Sequence, residues 1–227
     1  EAVSTSMVPF EYDDIVRLIH TGFFPELHQS EGDLDDWQDF YSSYFQTYIE
    51  KDVKDVLRIQ DESAFIKFVR ATAACTGKIL NLSSIAEVCA KDVKTVQAWL
   101  SVLESSGLVY LLQPYHNNFN KRLAKKPKLH FLDTGLACWL LGWNTPDQLV
   151  HGAMWGHIFE SFVFGEVLKS YYNDGIVVPP LYYYRDRERT EIDLVIEQGD
   201  TLYPVEIKTT SDPTLSMVGS FRCLEDI

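Results

Sequence analysis

The stretch Glu191-Ile192-Asp193-Leu194-Val195-Ile196-Glu197, the turn Gln198-Gly199-Asp200 and the later run Val205-Glu206-Ile207-Lys208 decide the fold of the last third of this chain. Successive side chains of a strand point to opposite faces, so Ile192, Leu194 and Ile196 share a core face and Asp193 lies on the other. Glu206 and Lys208 share a face by the same period, with Val205 and Ile207 turned inward. Glycine accepts positive φ and Asp tolerates turn conformations, so the spacing predicts an antiparallel hairpin. That hairpin brings Asp193, Glu206 and Lys208 together.

Adjacent carboxylates suit a hard divalent cation such as Mg²⁺ or Mn²⁺, which takes one or two carboxylates plus waters and substrate phosphates. A lysine on the same face can hold a water or neutralise a phosphate, and together these groups fit metal-assisted phosphodiester hydrolysis. The same residues also make an ordinary solvated Glu–Lys strand pair, worth ~0.2–1 kcal/mol. Upstream, residues 154–169 read as a helix with Ile158, Phe159, Phe162, Val163 and Val167 as its apolar stripe, and Glu160 lies among them, able to turn toward the hairpin. The order of helix, aromatic strand from Leu181 to Arg185, Asp strand, turn and Glu-x-Lys strand resembles the PD-(D/E)XK nuclease-like superfamily. The resemblance implies Glu160, Asp193, Glu206 and Lys208 as catalytic residues. Asp193, Glu206 and the Ile207 carbonyl would hold the metal, and Lys208 would position the attacking water. A glycosidase built on the paired carboxylates leaves the lysine without a role.

With 227 residues, 46% hydrophobic and 23% charged, the chain suits one large or two small soluble domains. No apolar run approaches the ~20 residues of a membrane span. Cys75, Cys89, Cys138 and Cys223 are scattered without Cys-x-x-Cys spacing, and the six histidines lack ligand spacing. The expectation is a reducing cytoplasm. The chain opens at Glu1 without Met and stops soon after the last motif, as expected of a fragment of a longer protein.

The net charge of −13 is unevenly spread: residues 1–62 hold 15 acids and 4 bases, whereas Lys78 to Leu132 hold eight Lys/Arg against three acids. Lys121, Arg122, Lys125, Lys126 and Lys128 fall in one short run, either a phosphate-binding surface or a solvated loop facing the acidic N-terminal region. Around it, Ser84-Ile85-Ala86-Glu87 reads as a capping box opening a short helix. A second helix runs from about Val93 to Ser105, burying Val96, Trp99, Leu100 and Leu103. Leu108–Leu112 and Leu129–Leu132 read as strands. Helix, turn, helix, strand, loop, strand is the order of a winged helix, whose recognition helix would expose Lys94, Thr95, Gln97 and Ala98 to nucleic acid.

Tyr12 to Ile19, Trp37 to Ile59 and Ser63 to Ala74 read as further helices, and the stripe Trp37, Phe40, Tyr41, Tyr44, Tyr48 reads as core. Gly22-Phe23-Phe24-Pro25-Glu26, Tyr48 to Val53, Thr76 to Asn81, Pro114-Tyr115, Asn120-Lys121-Arg122, Lys126-Pro127-Lys128-Leu129 and Asp133-Thr134-Gly135-Leu136 together resemble the bacterial and archaeal AAA-type ATPases that carry a DUF4143 domain. That resemblance implies an ATPase domain N-terminal to Glu1. It also implies a helical region over 1–75, a winged helix over 76–145, and a PD-(D/E)XK nuclease-like (restriction-endonuclease-like) α/β domain over 150–227, truncated at its end. Thr76-Gly77-Lys78-Ile79 lacks the first glycine and the hydroxyl of a P-loop, so ATP belongs to the absent domain and not to these residues. The expected fold class is α+β and multi-domain. The expected partners are nucleic acid and the chain's own ATPase domain, with no membrane. Two alternatives stand beside the nuclease: a non-catalytic regulatory or interaction module, and a winged-helix DNA-binding regulator.

Overall fold

The computed structural model describes residues 11–29, 34–48, 61–116, 126–186, 188 and 190–224. The chain is α+β, with helices around two small antiparallel sheets. Helix α1 (Tyr12–Thr21) leads into a 3₁₀ turn at Pro25–His28 and then α2 (Leu34–Tyr48). The helix expected from Trp37 to Ile59 is thus seen to Tyr48, and its remainder lies outside the described residues. Of the expected stripe Trp37, Tyr41 and Tyr48 are buried while Phe40 and Tyr44 are half-buried, and Phe45, outside that stripe, is buried beside them.

Helix α3 (Glu62–Ala73), strand β1 (Lys78–Ile79), α4 (Leu82–Cys89), α5 (Val93–Ser105), β2 (Val109–Leu112) and β3 (Lys128–Phe131) follow. The first sheet has the order β1-β3-β2, both pairings antiparallel. Helix α5 buries Val96, Trp99, Leu100 and Leu103. The cap of α4 differs from expectation: Asn81, not Ser84, is the N-cap, its side chain accepting the Ser84 N–H at 3.4 Å. Asn is as good a cap as Ser, and its place one turn earlier lets Leu82 begin the helix.

Helix α6 (Thr134–Leu141) and α7 (Pro146–Val150) lead to the long α8 (Trp155–Asn173). The second sheet consists of β4 (Leu181–Arg185), β5 (Glu191–Gln198) and β6 (Thr201–Val205) in sequential order, followed by a 3₁₀ segment at Leu215–Leu224. Gln198 pairs with Thr201 across a two-residue turn, and Gly199 at its first central position has φ 59°. Only glycine adopts that conformation without strain. Ile192, Leu194 and Val195 are buried. The strand containing Glu206-Ile207-Lys208 ends earlier than expected, at Val205, so these three residues follow the strand instead of lying within it.

One apolar cluster runs from Val16 to Ile158 and joins the N-terminal helices to the first sheet; a second gathers Leu112, Phe164, Leu168, Leu181, Tyr183 and Leu194. The buried face of α8 is Trp155, Ile158, Ser161, Phe164, Gly165 and Leu168 together with Glu160. This corrects the expected stripe, since Phe159, Phe162, Val163 and Val167 are only half-buried. The helix is apolar on most sides, so composition alone does not single out the inward face. Each fully buried Phe or Leu there contributes about 1.5–3 kcal/mol.

The two sheets are joined beyond β2. Tyr183 donates its N–H to the Gln113 carbonyl at 3.1 Å, and Tyr115 donates its N–H to the Tyr183 carbonyl at 2.6 Å. Since Leu112 pairs with Lys128, this connection carries the start of β3 against β4 and β5. The Tyr183 hydroxyl fixes the approach by donating to the Lys126 carbonyl at 2.5 Å.

Candidate functional site

The register of the second hairpin assembles the site. Leu194 pairs with Val205, so the next position along the same register sets Asp193 opposite Glu206. Past the end of β6 the Ile207 N–H donates to Asp193 Oδ2 at 2.9 Å. Lys208 Nζ then lies 2.6 Å from Glu206 Oε1 and 3.4 Å from Asp193 Oδ2. Asp193, Glu206 and Lys208 are therefore brought together, with Ile207 held by its backbone. Helix α8 delivers Glu160 to the same cluster from the other side.

The residue that joins the two sides is Lys128. Its Nζ is 2.8 Å from Glu160 Oε1, 2.5 Å from Glu191 Oε1 and 3.8 Å from Asp193 Oδ1, and its side chain is only 1% exposed. This corrects the expectation that Lys128 belongs to a phosphate-binding surface: the connection between the sheets turns its ammonium inward, where carboxylates compensate the lost hydration. Burial works against its charge, but Glu160 and Glu191 outweigh burial and hold its pKa above the ordinary lysine range. Arg185 Nη1 lies 3.5 Å from the other oxygen of Glu191, and His157 Nδ1 lies 3.9 Å from Glu160 Oε2.

The two lysines differ. Lys208 is 46% exposed, while Glu206 beside it is 12% exposed and its Oε2 is buried with no hydrogen-bond partner among the described residues. Burial raises the Glu206 pKa, with the Lys208 hydrogen bond opposing and the Asp193 charge adding to the rise. For Lys208 burial lowers the pKa, and the carboxylates of Glu206 and Asp193 more than restore it. A buried carboxylate oxygen without a donor is a vacant acceptor, costly unless a cation or water reaches it. Asp193 and Glu206 form a pair of hard oxygen donors, which is what Mg²⁺ or Mn²⁺ takes when waters complete its shell. Among the described residues no group of three or more His, Cys, Asp or Glu side chains is arranged to hold a metal ion together. Lys128 stands between Glu160 and the other carboxylates, so the donor set for a cation is the Asp193–Glu206 pair.

The expected nucleic-acid contacts are dispersed. Lys94 and Gln97 are exposed on α5, but the Thr95 hydroxyl donates to Asp92 Oδ2 at 2.7 Å and serves the helix cap. Lys126 is exposed, and Lys121, Arg122 and Lys125 lie outside the described residues. Glu191 was legible and missed: two positions before Asp193 in one strand, it must share its face. For Lys128 no local signal exists, since all four residues of β3 are buried.

Behind the cluster lies a neutral network. Thr76 Oγ1 accepts the Phe131 N–H at 2.9 Å and is 2.9 Å from Ser161 Oγ, which donates to the His157 carbonyl and lies 3.0 Å from His130 Nδ1. His130 is buried, stacked on Phe164, and its Nε2 has no hydrogen-bond partner among the described residues. Burial, then the Lys128 and His157 charges, push its pKa well below the ordinary value.

Comparison with known proteins follows the same division of the chain. Residues 12–147 match the family described as "Domain of unknown function (DUF8612)", and residues 155–227 match "Domain of unknown function (DUF4143)". The DUF4143 resemblance therefore covers the last third, and the motifs from Gly22 to Leu136 fall under DUF8612. Uncharacterized proteins of Mycobacterium bovis (Mb2031c) and Mycobacterium tuberculosis (Rv2008c) are each 28% identical over 190 residues, covering 83% of this chain and 41% of their own length. The chain thus spans less than half the length of these curated relatives. No solved structure matches.

Proposed function

The chain belongs to the DUF8612 family and continues into DUF4143 sequence, and from that premise we propose that it is the C-terminal part of an AAA-type ATPase, ending in a nuclease-like unit that cleaves phosphodiesters of nucleic acid. DUF4143 domains occur in ATPase-associated proteins in general, which supports the proposed parent. The observation that carries the nuclease reading is the Asp193–Glu206–Lys208 constellation, with Lys208 Nζ 2.6 Å from one carboxylate and 3.4 Å from the other. The long helix α8, the three-stranded antiparallel sheet and the carboxylates at the end of its second hairpin support this reading. The order α3-β1-α4-α5-β2-β3, with the three strands in one sheet ordered β1-β3-β2, likewise supports a winged helix.

Asp193, Glu206 and the Ile207 carbonyl would hold the metal, and the Ile207 N–H fixes the Asp193 rotamer. Mg²⁺ or Mn²⁺, when bound, supplies Lewis acidity toward a phosphoryl oxygen and an acidified water. Lys208, half-exposed and paired with both carboxylates, holds the attacking water or the phosphate oxygen facing solvent. Glu160 orients the site through Lys128. Lys94, Gln97 and Lys126, with Lys121, Arg122 and Lys125, receive the nucleic-acid backbone. ATP belongs to the parent's ATPase domain.

A second reading, a regulatory module without catalysis, is favoured by one observation: Lys128 already neutralises Glu160 and Glu191. Cleavage of single- and double-stranded DNA and RNA with Mn²⁺, by wild type and by Asp193→Ala and Lys208→Ala, separates the two. The nuclease reading requires cleavage lost in both variants with folding unchanged. Full activity in either variant, or none in the wild type, leaves the regulatory module.

A further inference from the structure

The next step rests on the reading of Asp193 and Glu206 as a cation site and concerns its regulation. The cluster draws on both matched regions of the chain: Lys128 comes from within 12–147, and Glu160, Glu191, Asp193 and Glu206 from within 155–227. Its two ends are unequal. At one end a fully buried ammonium fills the space among Glu160, Glu191 and Asp193 Oδ1. At the other, Glu206 Oε2 is buried and has no hydrogen-bond partner among the described residues. Four carboxylates thus converge where two lysines stand, and only one of these lysines reaches solvent.

We propose that Lys128 is an internal competitor for the divalent cation: its ammonium occupies the Glu160–Glu191 side of the cluster, and a cation that engages Asp193 and Glu206 displaces it. The ammonium is a single charge with three donors, which Glu160 and Glu191 use directly. A divalent ion on Asp193 sits beside that positive charge, whose Nζ lies 3.8 Å from Asp193 Oδ1, and it gains Glu160 as a further oxygen donor only when the lysine withdraws. Because β3 is positioned by β2 and by the Gln113–Tyr115 connection to β4, the lysine's place depends on how the first sheet sits on the second. Cation affinity is thereby coupled to the contact between the two regions. Movement of β3 away from β5 strengthens metal binding, and close packing suppresses it.

Calorimetric titration with MnCl₂ tests this without reference to cleavage. Lys128→Met is expected to bind Mn²⁺ at least tenfold more tightly than wild type, and Lys128→Met/Glu160→Gln to lose most of that gain. Equal affinity of wild type and Lys128→Met, or weaker binding by the variant, overturns the proposal. Should Lys128→Met fail to fold, wild type decides by lysine acylation read by mass spectrometry. Modification of Lys128 is expected to rise severalfold with added Mn²⁺, and no rise overturns the proposal. The nuclease reading stands or falls separately, on cleavage.

Discussion

Two carboxylates, half-buried Asp133 and buried Glu160, are held by different chemistry. Asp133 caps α6: its Oδ1 accepts the Leu136 N–H at 2.6 Å and the Tyr41 hydroxyl at 2.7 Å, and its Oδ2 accepts the Phe23 N–H at 2.8 Å. Thr134 donates to the Ile19 carbonyl at 2.7 Å, tying the same turn to α1. Glu160 instead faces an ammonium and a histidine. Neutral donors fixed by backbone make Asp133 an architectural group. The Glu160 cluster leaves Glu206 Oε2 without a donor among the described residues, and its balance changes with any cation that enters. The difference separates a site that finishes the fold from one still able to react.

Removing a charge should expose this contrast most strongly. Lys128→Met leaves Glu160 buried without its partner and is expected to destabilise the chain by about 3–5 kcal/mol in urea unfolding, because an unpaired buried charge is lost from water without compensation. Lys128→Met/Glu160→Gln should recover most of that loss. A loss below about 1 kcal/mol in the single variant would mean that the ammonium is solvated, as surface pairs are.

Next in size, Gly135→Ala tests the Asp133 end. A Cβ there would stand 2.3 Å from the Tyr41 hydroxyl and 2.5 Å from the Thr21 carbonyl. Overpacking of this kind is expected to cost about 1–3 kcal/mol. Gly22, at φ 87° and with a Cβ position 2.1 Å from the same hydroxyl, should behave alike. Neither substitution should alter Mn²⁺ affinity if the two ends are independent.

The pH dependence is smaller. The folded pKa of His130 is depressed, so its contribution is present above the unfolded value near ~6.5 and lost as pH falls below it, at up to about 1.4 kcal/mol per pH unit. His20, depressed by burial, adds in the same direction. Lys128 is raised, so its contribution persists below the unfolded lysine value of ~10.4 and is lost only as pH rises through the folded one. Urea midpoints measured from neutral pH downward should fall in wild type and fall less steeply in His130→Phe. The smallest effect expected is Lys208→Met on stability, within ~1 kcal/mol because the lysine is half-exposed.

Local periodicity made the hairpin, the buried face of α5 and the aromatic core of α2 legible in the sequence, since each follows from spacing within one element. Asp193, Glu206 and Lys208 could be brought together because one turn sets their register. Lys128 could not be placed, because its direction depends on a connection between sheets, through Gln113 and Tyr183, that no single segment encodes. Its setting in a basic run pointed outward, toward phosphates. The inward face of α8 was obscured because that helix is apolar on nearly every side. The Gly22–Phe23 and Asp133–Leu136 motifs identified relatives, but their physical reason, a glycine-permitted approach around Tyr41 and Asp133, emerges only in three dimensions.

Mn²⁺ titration of wild type against Asp193→Ala and Glu206→Ala tests the central claim most directly, that these two carboxylates form a cation site. The account predicts measurable binding in wild type that either substitution abolishes. Binding of equal strength in all three proteins, or in none, would contradict it.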